Sequence, residues 1–193
     1  MKKWGWIWTL CLLLAACSSE RGAAVPAGTA SPGIGGSAEA TVTRTIDGDT
    51  IQVSIGSRKE TVRMILVDTP EINKPGQKEP QPFGAEAAAF TRKLLTGKKV
   101  RLERDVSAKD TYGRSLYYVW LDDKMVNRLL LEEGLARVAV FPPDVKYVED
   151  FRGIAAKAQA EGKGIWSLEN YVSDRGFRES PSPSSSPREQ SRQ

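Results

Sequence analysis

The 193-residue sequence predicts an α+β fold, mainly β: a small closed barrel of five short strands that carries three helices. Three observations lead there. Short runs alternate β-branched and polar residues on either side of an Asp47-Gly48 turn signal. One alanine-rich amphipathic stretch interrupts the strands and two more amphipathic stretches follow later. The flanks are a short apolar leader and segments rich in Ser, Gly, Ala and Pro, which cannot bury enough surface to fold, so about 130 residues between them hold the core.

Taken in order, residues 41–46 and 50–55 read as strands, and the Ser54 to Arg58 stretch signals a second reversal. Residues 60–67 form a third strand that ends in four consecutive apolar residues, Met64, Ile65, Leu66 and Val67, before Pro70 stops it. Residues 72–82 contain Pro75, Gly76, Pro80 and Pro82 and read as an exposed loop. A helix is expected over 83–96: Ala85, Ala87, Ala88 and Ala89 favour it, Phe90 and Leu94 lie four apart, and Gly97 suits its C-terminal cap. Strands follow at 98–104, with Val100 and Leu102 on one face, and at 114–121, where Leu116, Tyr118 and Trp120 alternate against Tyr117, Val119 and Leu121. Residues 124–133 read as a short helix ended by Gly134, and 135–141 as an extended stretch ended by Pro142-Pro143. The last helix is 147–161, with Phe151, Ile154, Ala155 and Ala158 on one stripe; Trp166 is expected to pin the C-terminus to the core. Three strands, a helix, two strands and two helices suit a Greek-key barrel of the OB type, although another small α+β sheet shares the pattern.

The flanks suggest export. Lys2 and Lys3 precede an uncharged run from Trp4 to Ala16, shorter than the roughly 20 apolar residues of a membrane span. Residues 1–16 therefore read as a signal peptide. Leu14-Ala15-Ala16-Cys17 resembles a bacterial lipobox, which implies cleavage before Cys17 and its diacylation; an ordinary cleaved signal with a free Cys17 thiol is the alternative. Residues 17–39 read as a flexible tether, 40–171 as the folded domain and 172–193 as a disordered Ser/Pro-rich tail. The expected location is a bacterial membrane, anchored by lipid and facing the periplasm or the exterior.

Composition excludes several chemistries. There is no histidine, so no Ser-His-Asp triad, histidine base or histidine zinc site exists. Both cysteines, Cys11 and Cys17, lie near the N-terminus, which leaves the domain without a disulfide or thiolate metal site. The net charge of +4 becomes 26 basic against 24 acidic residues once Lys2 and Lys3 are removed, too small a surplus to indicate nucleic acid unaided.

Chemistry concentrates in two stretches. Thr45-Ile46-Asp47-Gly48-Asp49-Thr50 leads through Arg63 to Leu66-Val67-Asp68-Thr69-Pro70-Glu71, and a partner reads Asp110-Thr111-Tyr112-Gly113-Arg114. Carboxylates can hold a hard cation and arginines can hold phosphate in a two-pronged fork. That combination suits phosphodiester cleavage, where charge builds on the phosphoryl oxygens in the transition state. Taken singly, Asp-Gly-Asp is an ordinary turn, Asp68-Thr69-Pro70 an ordinary strand end, and Arg63 an outward-facing strand residue.

These motifs, with Met125-Val126-Asn127, Glu133-Gly134-Leu135-Ala136 and Gly164-Ile165-Trp166-Ser167, come in the order and spacing of the staphylococcal nuclease (thermonuclease) family, which the chain resembles over about residues 40–170. The resemblance implies a five-stranded OB-fold barrel with three helices and a calcium-dependent nuclease that acts on DNA and RNA and leaves 3′-phosphate ends. It implies Asp49 and Asp68 as carboxylate ligands of Ca²⁺, Thr69 as a backbone ligand, Asp47 as an outer acid, and Arg63 and Arg114 as phosphate clamps. Glu71 is the implied catalytic carboxylate, as base or as a group that orients water or a loop. Tyr112 matches a nucleotide-contacting tyrosine. Thr111 stands where the family often has lysine, and Val140 and Pro142 where it has tyrosines, so Phe141 is the one ring expected on that wall; Lys74 and Lys78 are further possible contacts. Single-stranded or frayed nucleic acid is the expected partner, beside the membrane, with no obligate protein partner and a monomeric state. A catalytically silent OB-type binding module is the alternative, and a lipoprotein that uses calcium structurally to bind a partner is a third reading.

Overall fold

The computed structural model describes residues 36–73, 76 and 79–178. The leader, Cys17, the tether as far as residue 35, Lys74, Lys78 and the tail from residue 179 lie outside the described residues.

Five strands close the barrel: β1 (Ser37–Thr45), β2 (Thr50–Ile55), β3 (Arg58–Met64), β5 (Lys99–Glu103) and β6 (Ser115–Leu121). β1 pairs antiparallel with both β2 and β5, β5 with β6, and β6 runs parallel to β3 to complete the circle. The register of β1 shifts between Val42 and Arg44, an irregularity of the kind that helps a sheet bend and close. Inward residues such as Val42, Ile51, Val53, Val62, Leu102, Tyr117 and Val119 fill the interior. Helix α1 (Gly84–Leu95) lies against β1 and buries Ala87, Ala88, Thr91 and Leu95. The two-residue strand β7 (Lys124–Met125) pairs with β6 and leads into α2 (Val126–Glu132), which packs on α3 (Val148–Ala160). Leu130, Leu131 and Phe151 are fully buried there, and each such side chain contributes about 1.5–3 kcal/mol. Asn127 ties this layer to the barrel: its Nδ2 donates to the Ile65 carbonyl at 2.9 Å and its Oδ1 accepts the Val119 N–H at 2.9 Å.

The expected third strand ends early. β3 stops at Met64; Ile65 and Leu66 turn, with Leu66 in the left-handed region at φ 63°, and a two-residue β4 (Val67–Asp68) follows. Arg63 holds this reversal, its Nη1 donating to the carbonyls of Met64 at 2.9 Å and Val67 at 2.6 Å. β4 pairs with β8 (Arg137–Val138), the only strand in the stretch expected to be extended over 135–141. The second helix begins two residues later than expected, because Lys124 and Met125 pair with β6 instead.

Three expectations at the two ends of the domain need correction. Ile165, in the 3-10 turn Gly164–Ser167, is the fully buried anchor, with its N–H on the Gly134 carbonyl at 2.8 Å, whereas Trp166 is half-buried. Residues 172–178 are ordered: β9 (Val172–Ser173) and β10 (Gly176–Phe177) form a hairpin, and Tyr171 just before it is fully buried. At the other end β1 begins at Ser37 rather than after residue 39, since Ser37 already pairs with Glu103.

Candidate active site

The barrel brings the acidic motifs together by register. Thr50 pairs with Arg63, so Asp49 lies at the mouth of β3, and its carbonyl accepts the Met64 N–H at 2.9 Å. The Arg63-held turn then returns Asp68 to the same place. One guanidinium nitrogen, Arg63 Nη2, is 3.1 Å from Asp49 Oδ2 and 3.1 Å from Asp68 Oδ1. Asp49 is fixed further by the Thr69 N–H on Oδ2 at 2.8 Å and the Thr50 hydroxyl on Oδ1 at 2.9 Å. Asp47 Oδ1 accepts the Asp49 N–H at 3.2 Å. Gly48 between them is compact by necessity: a Cβ there would lie 2.7 Å from the Ala87 side chain and 2.8 Å from that of Thr69.

Gathering acids raises their pKa. Burial, then the Asp49 and Glu71 carboxylates, push Asp47 up to about 8. Burial and Asp49 raise Asp68 against the opposing pull of Arg63 and Arg137. Glu71 is raised by burial and by Asp49, while Arg63 and Arg114 pull it down. Glu71 therefore shares one electrostatic neighbourhood with both carboxylates and both arginines. Its backbone is held by Gln81, whose Oε1 accepts the Glu71 N–H at 2.9 Å and whose N–H donates to the Glu71 carbonyl at 3.0 Å.

A cleft of about 390 Å³ opens beside this cluster, lined among others by Arg63, Asp68, Thr111, Tyr112, Arg114 and Phe141. Tyr112 and Phe141 are 84% and 71% exposed, and the Arg114 guanidinium lies 5.5 Å from the Tyr112 ring centre. Asp110 shapes the near wall: Oδ1 accepts the N–H groups of Tyr112 at 3.0 Å and Arg114 at 2.9 Å, and Oδ2 accepts Arg114 Nε at 2.7 Å. Burial raises Asp110, but the side-chain and backbone hydrogen bonds from Arg114 win and hold it below the ordinary aspartate value. The Asp110 bond takes Nε of Arg114 and leaves its two terminal nitrogens to other partners.

The donor set suits a hard cation. Asp49 and Asp68 point their carboxylates at one spot that a positively charged nitrogen occupies, and all nearby donors are oxygen. Among the described residues no three or more His, Cys, Asp or Glu side chains form a complete cage. Two carboxylates fall short of the six to eight oxygens that calcium takes, so a hard cation held here would need further oxygen ligands.

The structure thus gathers Asp47, Asp49, Asp68, Thr69 and Arg63, sets Glu71 within their field, and places Tyr112 and Arg114 on the cleft wall. Arg63, expected as a phosphate clamp, spends both terminal nitrogens on carbonyls and carboxylates here. Three participants escaped the sequence reading. Arg137 is buried and its Nε donates to Asp68 Oδ2 at 2.8 Å; an arginine flanked by Ala136 and Val138 in an apolar stretch was the available signal. Gln81 is buried inside a segment that reads as exposed loop. Asp110 belongs to a motif the sequence displays, but its role as the anchor of Arg114 emerges only from the fold.

Residues 61–168 match the family described as staphylococcal nuclease homologue. The chain is similar to Endonuclease YncB of Bacillus subtilis (strain 168), 46% identical over 139 residues, which cover 71% of this chain and 65% of that protein. It is 44% identical over 141 residues to the SPbeta prophage-derived endonuclease YokF of the same organism, covering 72% of this chain and 47% of the relative. Thermonuclease of Staphylococcus hyicus is 49% identical over 126 residues, with 65% and 74% covered. The chain spans less than two thirds of the length of the two Bacillus subtilis relatives.

Proposed function

Because this chain belongs to the staphylococcal nuclease family, we propose that it is a calcium-dependent nuclease that hydrolyses phosphodiester bonds of DNA and RNA and leaves 3′-phosphate ends. The observation that carries the reading is the convergence of Asp49 and Asp68 on one point at the cleft that holds Arg114. Calcium, when bound, supplies positive charge to the phosphoryl oxygens as negative charge grows on them. Asp49, Asp68 and the Thr69 carbonyl hold it. Arg114, anchored through Nε, directs its terminal nitrogens at the phosphate, where a rigid fork stabilises the transition state more than a point charge does. Glu71 deprotonates or orients the attacking water, and its raised pKa brings it closer to the working pH of a base. Tyr112 stacks on a base, which contributes about 1–3 kcal/mol with little sequence preference. Phe141 supplies the second ring on a wall where Val140 and Pro142 offer none.

The remainder of the proposal rests on the sequence: export, lipid anchoring at Cys17, action on extracellular or periplasmic nucleic acid, and a monomer. A membrane anchor keeps a nonspecific nuclease away from the genome and in a calcium-rich compartment. End-group analysis tests the chemistry. Products of a single-stranded DNA digest should accept a 5′ label from kinase without prior dephosphorylation and should resist extension until a 3′-phosphatase is added. Products with 5′-phosphates would refute the proposed bond cleavage.

A further inference from the structure

Residues 169–178 lie beyond the family match, which ends at residue 168, yet they reach the site from behind by two separate routes. In the first, the Asp174 carbonyl in the turn of the β9–β10 hairpin accepts Arg137 Nη1 at 3.2 Å, and the Phe177 ring lies 6.0 Å from the same guanidinium. The other edge of Arg137 holds Asp68 Oδ2 at 2.8 Å, so Oδ1 is the oxygen left to meet Arg63 Nη2, the nitrogen that also meets Asp49. In the second, the hydroxyl of fully buried Tyr171 donates to the Pro82 carbonyl at 2.8 Å. Pro82 follows Gln81, which grips Glu71 by both backbone groups. The routes share a root, since Tyr171 packs on Phe177 at 5.3 Å between ring centroids and its carbonyl accepts the Arg178 N–H at 2.9 Å.

We propose that the 171–178 segment is a positioning brace for the catalytic cleft: through Arg137 it orients the carboxylate of Asp68, and through Tyr171 it fixes the segment that carries Glu71. The inference rests on the nuclease reading for its kinetic consequences, and on geometry alone for the brace. A buried arginine with one edge on a carboxylate and the other on a carbonyl cannot turn without breaking both bonds. Such support matters because catalytic groups displaced by about 1 Å lose up to about a hundredfold in rate. The two routes end on different groups, so they carry different kinetic signatures.

Two charge-neutral substitutions in the full chain separate them. Tyr171→Phe removes one hydroxyl and keeps the ring; Phe177→Ala removes the ring beside Arg137. Three readouts are needed: kcat and KM on single-stranded DNA, calcium affinity by calorimetry with calcium alone, and Tm. Tyr171→Phe should lower kcat by about tenfold while KM and calcium affinity stay within about twofold. Phe177→Ala should weaken calcium binding by about threefold or more, with Phe177→Tyr restoring it, because loss of orientation must be recovered on binding. If kcat and calcium affinity stay within about twofold of the parent in both variants while Tm falls, the hairpin is a structural closure and the brace is refuted. A parent chain that binds calcium but cuts nothing overturns the nuclease reading instead, and the calcium affinity of Phe177→Ala then decides the brace.

Discussion

The contact between Asp110 and Arg114 allows stability and catalysis to be separated within one loop. Asp110→Asn keeps an oxygen that can accept the Tyr112 and Arg114 N–H groups, so the backbone of the loop survives. The new amide, however, turns N–H groups toward Arg114 Nε, and the 2.7 Å bond that aims the guanidinium is lost. The stability cost is that of a partly exposed ion pair, with side chains 31% and 17% exposed, or about 0.2–1 kcal/mol. The catalytic cost is larger, because a freed guanidinium must be reordered at each turnover: about 10- to 100-fold in kcat/KM, equivalent to about 1.4–2.7 kcal/mol of barrier. Arg114→Lys, which retains charge and loses the fork, should cost about tenfold or more. If Asp110 acts only by aiming Arg114, the double variant should be little worse than Arg114→Lys alone. The assay is a double-mutant cycle on single-stranded DNA cleavage beside urea denaturation of the same four proteins. Additive losses would show that Asp110 acts independently of Arg114, and an Arg114→Lys loss smaller than about tenfold would remove Arg114 from the phosphate-clamp role.

Other consequences are simpler to check. The depressed pKa of Asp110 stabilises the fold at all pH values above the unfolded aspartate value of about 3.9, and that contribution should vanish as pH falls through its lower folded value; Asp110→Asn should flatten the acid limb of a pH–stability curve. Gly48→Ala should destabilise by about 1–3 kcal/mol, because the added methyl meets Ala87 and Thr69 in a closed space, and calorimetry should show weaker calcium binding as Asp49 shifts against Thr69. Asn127→Ala leaves the Val119 N–H and the Ile65 carbonyl unpaired in a dry interior, at about 1–3 kcal/mol for each group, and denaturation should register the loss while activity per folded molecule is kept.

Much of this architecture was legible because it is local. The alternation through β1, β2, β5 and β6 reports which face each residue turns inward, and the alanines and Gly97 mark α1 within one residue at each end. The acidic motifs and arginines were legible by type and order. What escaped depends on contacts made across the fold. Four apolar residues from Met64 to Val67 read as uninterrupted strand, because nothing nearby in sequence reveals that Arg63 will cap the Met64 and Val67 carbonyls and turn Leu66 left-handed. The β9–β10 hairpin has strands of two residues around Asp174 and Arg175, a composition indistinguishable from a polar tail; contacts distant in sequence, from Tyr171 to Pro82 and from Asp174 to Arg137, make it part of the domain. Arg137 likewise discloses its role only when Asp68 is its partner across β4 and β8.

The most direct test of the site is digestion of single-stranded DNA by the purified chain with calcium, with excess chelator, and with Asp49→Ala in calcium. Cleavage in calcium that is lost in chelator and in a folded Asp49→Ala variant is the result expected from carboxylates converging on one cation. Cleavage that persists in chelator, or in Asp49→Ala, would contradict that site. A folded parent that cuts nothing in calcium would make the chain a binding module and turn attention to the thinned wall at Thr111, Val140 and Pro142.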